Sequence, residues 1–248
     1  MKMYVVGNWK LNFNVGEASI YLHKLMQKLP NSRNVEVVVA PPLIAMQPLS
    51  LQVDRRKLKI AAQNGYYRDF GAYTGETSMT QLRGIADYVI VGHSERRYIF
   101  GEDDKLLGKK VAAAIRNGIT PILCVGETEI ERSFGETTEV LLDQLNAGLS
   151  EISEEDYNKV IIAYEPVWAI SSVRGSKLAT PDDVAFAVRI IRDALPDDTP
   201  VLYGGSVSPS NAGAYLTVPG VNGVLVGGSS LILNEFIDII EIARRVRS

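Results

Sequence analysis

Three short apolar segments of the sequence lead into side chains that could take part in catalysis. Lys10, His93 and Glu165 each come at or just after the end of such a segment. A carboxylate and an imidazole are the usual groups of general acid–base catalysis, and an ammonium group stabilises negative charge in a transition state. On its own, each of these residues could equally be a solvated or structural polar residue with no catalytic role. Their common position at segment ends makes them candidates for one site.

Two further apolar segments end in paired glycines followed by a serine. They read Tyr203-Gly204-Gly205-Ser206 and Val226-Gly227-Gly228-Ser229. Because glycine has no Cβ, backbone N–H groups can approach an anion closely at such positions. Loops after the last two strands of a parallel barrel are the usual phosphate cradle of that fold. The pairs therefore predict phosphate binding if the chain forms such a barrel.

The elements that would position these residues alternate regularly. Short runs rich in β-branched residues predict eight strands, at 4–7, 35–40, 59–62, 88–91, 120–125, 160–164, 200–203 and 223–226. Segments with helical spacing lie between them, and Thr180-Pro181 and Ser208-Pro209 have the features of helix starts. The interval of about 31 residues per unit favours a closed (β/α)8 barrel over an open doubly wound sheet. The first strand lacks the Gly-x-Gly-x-x-Gly turn of a dinucleotide-binding sheet. No linker divides residues 1–248, so a single domain is expected.

The composition argues against several classes of function. The 248 residues include 26 Lys and Arg against 29 Asp and Glu, a formal net charge of −3. Neither this total nor any run of residues indicates the clustered positive charge that binds nucleic acid or an anionic membrane. The longest apolar runs are far below the ~20 residues that cross a bilayer. A lone cysteine and a start without a signal-peptide pattern predict a soluble cytoplasmic protein.

Few other residues are candidates for nucleophilic or metal chemistry. Cys124 has no histidine beside it in the sequence, and a small buried residue is the better interpretation of a lone cysteine. His23 falls in the first predicted helix, where a surface or packing role is expected. No His, Cys, Asp or Glu cluster has the spacing of metal ligands, so no metal and no other cofactor is expected.

Seven strings of residues resemble the triosephosphate isomerase family, in that family's order. They cover the chain from end to end and together are far more specific than any one glycine pair. The strings are Gly7-Asn8-Trp9-Lys10, Thr74-Gly75-Glu76, Val91-Gly92-His93-Ser94-Glu95-Arg96-Arg97, Cys124-Val125-Gly126-Glu127, Ala163-Tyr164-Glu165-Pro166-Val167-Trp168-Ala169-Ile170, Tyr203-Gly204-Gly205-Ser206-Val207 and Leu225-Val226-Gly227-Gly228. The resemblance implies a cofactor-independent isomerase that interconverts dihydroxyacetone phosphate and D-glyceraldehyde 3-phosphate.

The resemblance also implies roles for individual residues, and the glutamate base and the neutral histidine are established assignments of this family. Glu165 would move a proton between adjacent carbons of the substrate, and His93, at a helix start, would polarise the carbonyl. Lys10 would attract the dianionic substrate and stabilise negative charge, with Glu95 as its ionic partner. Asn8 would orient Lys10 and the substrate oxygen. Arg96 and Arg97 are better interpreted as structural ion-pair residues.

The phosphate would be held, by the same resemblance, largely through backbone N–H groups of Ser171, Ser206, Gly227 and Gly228. Ser171 is a departure from the family, which has a glycine at that position. The six residues at 171–176 also replace three before the lysine of a loop that, in the family, closes over the substrate. The Ser171 contact requires backbone dihedrals that suit a residue with a Cβ. We expect loop closure to be sensitive to this change, because such lids often limit turnover.

The loop at 63–76 predicts a partner subunit. It is long for a connection between a strand and a helix, and it carries the aromatic residues Tyr66, Tyr67, Phe70 and Tyr73. Exposed aromatic side chains on a protruding loop favour a partner surface. In the family this loop inserts beside the active site of a second subunit, with Thr74 near that subunit's lysine. A homodimer is therefore expected.

Two alternatives to this triose-phosphate isomerisation are open at this point. Another phosphosugar barrel, such as a ribulose-phosphate epimerase, would need metal ligands at its strand ends, which the sequence does not offer. A non-catalytic phosphometabolite-binding scaffold would keep the barrel and the glycines but lose turnover through the altered lid.

Overall fold

The computed structural model describes residues 2–29, 33–170 and 177–246, so the predicted phosphate contact of Ser171 lies outside the described residues. Within these ranges the strands are β1 Met3–Asn8, β2 Val35–Ala40, β3 Lys59–Ala62, β4 Tyr88–Val91, β5 Thr120–Val125, β6 Ile161–Tyr164, β7 Val201–Tyr203 and β8 Gly223–Val226. Each strand pairs in parallel with the next, and β8 pairs with β1. The predicted closed barrel is confirmed, with strand ends within one residue of the expected bounds.

The helices follow the strands along the chain and surround the barrel. They are α1 Val15–Lys28, α2 Leu43–Ser50, α3 Met79–Leu82, α4 Ser94–Tyr98, α5 Asp104–Arg116, α6 Glu129–Ser133, α7 Thr137–Leu149, α8 Pro181–Asp193, α9 Ala212–Leu216 and α10 Leu233–Val246. Among these helices, none has the length and apolar character that crossing a bilayer requires.

One predicted helix start is confirmed and the other is wrong. Thr180 caps α8, where its hydroxyl accepts the Asp183 N–H and the Asp183 side chain accepts the Thr180 N–H. The Ser208-Pro209 pair does not begin α9, which starts at Ala212. The reason is local, because the side chain of Asn211 accepts the Ser208 N–H and fixes a turn ahead of the helix.

The strands are buried on both faces, which explains why their sequences are apolar throughout rather than alternating. Along β1, Val6 packs inside the barrel and Val5 packs in the layer between the barrel and the helices. Complete burial of such a side chain stabilises the fold by about 1.5–3 kcal/mol. The barrel interior is filled by Val6, Val38, Ala40, Ala61, Ile90, Ile122, Cys124, Ile161, Ala163, Leu202 and Leu225. This rigid core fixes the strand ends that carry the polar residues.

Candidate active site

A cavity of about 340 Å³ lies at the carboxyl ends of the strands. It brings together seven of the residues singled out from the sequence, which are Asn8, Lys10, His93, Glu165, Ser206, Gly227 and Gly228. Ile170 and Leu178 also line it, from either side of the segment at 171–176. Glu95 does not line the cavity itself but forms an ion pair with Lys10, which does. Thr74 is exposed on the loop at 63–76. The candidate catalytic and phosphate-binding groups therefore share one concave site.

Glu165 is almost fully buried at the end of β6, where its carboxylate faces the cavity. Its Oε2 accepts the Ser94 N–H at 3.1 Å, and its Oε1 lies 3.3 Å from His93 Nε2. The backbone is equally fixed, since the Glu165 N–H donates to the Val125 carbonyl at 2.8 Å. A carboxylate with these contacts lies in the position that a proton-transferring base requires.

Two glycines make room for Glu165. A Cβ added at Gly126 would lie 2.0 Å from the Glu165 carbonyl oxygen, so only glycine allows β5 and β6 to end this close together. A Cβ at Gly204 would lie 2.7 Å from Glu165 Cγ. The glycines after β5 and β7 therefore define where the carboxylate can lie.

His93 is the residue before α4, and its ring is buried. Its Nδ1 accepts the Glu95 N–H at 3.2 Å, so Nδ1 carries a lone pair and the proton of the neutral ring is on Nε2. That Nε2 atom lies on the side of Glu165 and of the cavity. The local backbone thus selects the tautomer that can donate a hydrogen bond into the site.

Lys10 adopts a backbone conformation that residues with a Cβ rarely take, with φ of 52°. Two side chains hold it there. The Asn8 Oδ1 accepts the Lys10 N–H at 3.0 Å, and Gln63 Nε2 donates to the Lys10 carbonyl at 2.8 Å. The Lys10 ammonium donates to Glu95 Oε1 at 2.8 Å. Hydrogen bonds therefore hold Lys10 at both its backbone and its ammonium group.

The serine expected to bind phosphate is engaged with the protein itself. Both the Ser206 N–H and the Ser206 hydroxyl donate to the Ala169 carbonyl, at 3.0 and 2.7 Å. A phosphate can accept these hydrogen bonds only after Ala169 has released them. Gly227 and Gly228 also line the cavity. A Cβ at Gly227 would lie 3.7 Å from Lys10 Cε, and a Cβ at Gly228 would meet open space.

The remaining sequence candidates have structural partners. Arg96 pairs with Glu102 at 2.5 Å, and Arg97 pairs with Asp104 at 2.5 Å, as expected for structural ion pairs. Cys124 lies in the barrel interior, where burial raises the pKa of its thiol. His23 is exposed on α1. Across the described ranges, no group of three or more His, Cys, Asp or Glu side chains is arranged to hold a metal ion.

Sequence reasoning missed the polar network that anchors the segment after Glu165. Glu127 follows β5 and is fully buried, and it accepts hydrogen bonds from Trp168 Nε1 at 2.8 Å and from the Tyr164 hydroxyl at 3.1 Å. Burial raises the pKa of the Glu127 carboxyl. Arg132 packs over the Trp168 ring at 4.0 Å and pairs with Asp183 at 2.6 Å. The position of Glu127 after a strand could have indicated it, whereas nothing in the sequence marks Arg132.

The loop at 63–76 exposes only part of its aromatic set. Tyr66 is half-buried, and its ring lies 4.6 Å from that of Tyr67 and 4.9 Å from that of Tyr73. Phe70 is 89% exposed and Tyr73 is 39% exposed. Hence Tyr66 and Tyr67 pack within the chain, Tyr73 is partly exposed, and Phe70 extends furthest into solvent.

Comparison with known proteins agrees with the fold. Residues 3–243 match the family model described as triosephosphate isomerase. A triosephosphate isomerase of Natranaerobius thermophilus is 40% identical over 97% of this chain and 96% of its own length. One from Streptococcus agalactiae serotype Ia is 39% identical over 98% of this chain and 99% of its own length. The chain therefore belongs to the triosephosphate isomerase family.

Proposed function

We propose that this protein interconverts dihydroxyacetone phosphate and D-glyceraldehyde 3-phosphate through an enediolate, without a cofactor. The observation that carries the proposal is the meeting of Glu165, His93 and Lys10 in one cavity, with Glu165 Oε1 3.3 Å from His93 Nε2. These groups match what the reaction needs, which is a base, a hydrogen-bond donor to the carbonyl oxygen and a cation.

In the proposed mechanism, the Glu165 carboxylate removes a proton from the carbon next to the substrate carbonyl. Negative charge then develops on the carbonyl oxygen, where the His93 Nε2–H donates a hydrogen bond and the Lys10 ammonium offsets the charge. The proton of the neighbouring hydroxyl group then passes through His93 Nε2 to the former carbonyl oxygen. Glu165 returns the abstracted proton to the former carbonyl carbon, so the carbonyl moves by one position. The ion pair with Glu95 at 2.8 Å keeps the Lys10 ammonium oriented.

The phosphate group would lie at the glycine-rich side of the cavity. Gly227 and Gly228 line the cavity, and Ser206 can join them once its two donors leave the Ala169 carbonyl. Ser171 would add a backbone N–H from the segment at 171–176. This arrangement binds a small dianion with backbone donors and one lysine, which is compatible with a net charge of −3.

A coupled isomerase assay on the purified protein tests the proposal. We expect turnover of D-glyceraldehyde 3-phosphate that is proportional to enzyme concentration. Binding of triose phosphates by calorimetry without turnover would instead support the non-catalytic phosphometabolite-binding scaffold. Absence of both binding and turnover would refute both functions.

We also propose that the chain forms a homodimer through the loop at 63–76, with Thr74 near the active-site lysine of the partner subunit. Exposed apolar side chains support it, since Leu11 is 98%, Ile44 75% and Phe70 89% exposed. These residues follow β1, β2 and β3, whose carboxyl ends adjoin in the barrel. Light scattering should give the mass of a dimer, and a fully active monomer would contradict the proposal.

The cellular location that we propose is the cytoplasm. The support comes from the single cysteine, Cys124, which is a buried free thiol. Proteins of a reducing compartment keep their cysteines as free thiols, whereas disulfides are common in proteins of oxidising compartments. Fractionation of the producing cell would test this, and recovery of the protein outside the cytoplasm would contradict it.

A further inference from the structure

A second polar cleft, of about 250 Å³, lies at the amino-terminal end of the barrel. Its residues come immediately before or at the start of β1, β2 and β3, so it faces away from the catalytic cavity. Six cations line it, which are Lys2, Arg33, Arg55, Arg56, Lys57 and Lys59. The expectation that no run of the sequence concentrates positive charge is wrong here, because four of the five residues at 55–59 are basic.

The carboxylates around the cleft offset only part of this charge. Glu36 pairs with Lys2, Asp54 pairs with Arg56 at 2.9 Å, and Asp87 accepts from Arg55 at 3.1 Å. Lys59 also approaches Asp87, at 3.6 Å. Three acidic groups against six basic ones leave a net charge of +3 in a chain whose total is −3. The fold therefore separates charge that is nearly balanced in the sequence.

Three of the cations can turn toward a ligand at low cost. Arg33 and Lys57 are exposed, and neither forms an ion pair with another described residue. The Arg56 side chain is 90% exposed, so its pair with Asp54 is surrounded by water and contributes little stability. In contrast, Arg55 is fixed by the Asp87 carboxylate and by the carbonyls of Gly84 and Ile85. With Lys2 paired to Glu36 and Lys59 near Asp87, the cleft thus combines three paired cations with three available ones.

The buried side of the cleft strengthens the attraction for an anion. Val35, Val37 and Leu58 are buried lining residues with apolar side chains. A concave surface with apolar walls and charge mainly of one sign concentrates the electric field. A single phosphate would use only part of this set, whereas linked phosphate groups could contact Arg33, Arg56 and Lys57 at once.

We propose that this cleft binds a small polyphosphate, an anion with two or more linked phosphate groups. The cleft is compact and its ion pairs place carboxylates at its margin, while the rest of the chain carries an excess of negative charge that repels an extended polyanion. These features favour a small ligand over a nucleic acid. The inference does not depend on the proposed isomerase activity, because it rests on the opposite end of the barrel.

Calorimetry with inorganic tripolyphosphate at low ionic strength tests the proposal. The informative variant neutralises the available cations together, as Arg33→Gln, Arg56→Gln and Lys57→Gln. A matched control neutralises three exposed cations elsewhere, as Lys24→Gln, Lys105→Gln and Arg189→Gln. We expect the wild-type protein to bind one tripolyphosphate, the cleft variant to bind about tenfold more weakly or worse, and the control to change by no more than about twofold.

Several results would overturn the proposal. These are no binding by the wild-type protein, equal weakening in both triple variants, or loss of binding when glycerol 3-phosphate saturates the catalytic cavity. Tighter binding of a DNA duplex than of tripolyphosphate, with the same loss in the cleft variant, would assign the surface to nucleic acid instead. Isomerase activity and circular dichroism establish that every variant is folded. Lys57→Glu alone, which reverses one exposed charge, is a second cleft variant for the same calorimetry.

Discussion

The position of the proposed base depends on the absence of a side chain at Gly204. In Gly204→Ala, the added Cβ would lie 2.7 Å from Glu165 Cγ and 3.4 Å from its Oε1. Non-bonded carbon atoms are in contact at about 3.5 Å or more, so Glu165 Cγ must retreat by about 0.8 Å. A misplacement of about 1 Å at a reacting group costs about 10²-fold in rate. We therefore expect kcat to fall about 10²-fold, which corresponds to about 2.7 kcal/mol in activation free energy.

Steady-state kinetics on the purified variant measures this effect, and Gly213→Ala is the matched control. The control adds the same methyl group to α9, where the Cβ would be 3.6 Å from Ile242 Cγ2, an ordinary contact. Binding of glycerol 3-phosphate should be nearly unchanged in both variants, because the phosphate side of the cavity is retained. A Gly204→Ala enzyme with unchanged kcat, or one that loses only affinity, would refute the reasoning.

Two further variants test other parts of the site. Lys10→Met removes the cation and leaves Glu95 without its 2.8 Å partner, so kcat/KM should fall by about 10²–10³-fold; a loss no larger than that of the exposed Lys24→Met would contradict the assignment. The second variant, Glu127→Gln, concerns pH. Burial raises the pKa of the Glu127 carboxyl above its ordinary value of 4.5. The stability contributed by its protonated form is therefore complete below pH 4.5 and is lost as pH rises through the raised pKa. Urea unfolding at a series of pH values measures the free energy of unfolding of Glu127→Gln and of the wild type. The value for Glu127→Gln minus that for the wild type should increase with pH above 4.5 and then level off. A difference that does not change with pH would contradict this.

The strand positions could be predicted because of where the strands lie in the fold. A strand that is covered on both faces must be apolar along its whole length, so its sequence stands out from the amphipathic helices around it. The start of α9 could not be predicted in the same way. It depends on whether the Asn211 side chain accepts the Ser208 N–H or points to solvent, and the local sequence is compatible with both conformations.

The candidate site was predictable to the extent that its residues follow strands. Asn8 and Glu165 are positioned by the strand ends themselves, and His93 follows β4 by two residues. Arg132 lies on α6, and its contacts with Trp168 and Asp183 arise only when distant parts of the chain pack together. The basic cleft has the same origin, since it collects residues that precede three different strands.

The central claim is that Glu165 transfers the proton, and Glu165→Gln tests it most directly. The amide keeps the size of the side chain and can still accept the Ser94 N–H, but it cannot serve as a base at neutral pH. We predict that isomerase activity falls by roughly 10²–10⁴-fold while the affinity for glycerol 3-phosphate stays nearly the same. The exposed Glu139→Gln on α7 is the control and should retain full activity. Full activity in Glu165→Gln would contradict the account.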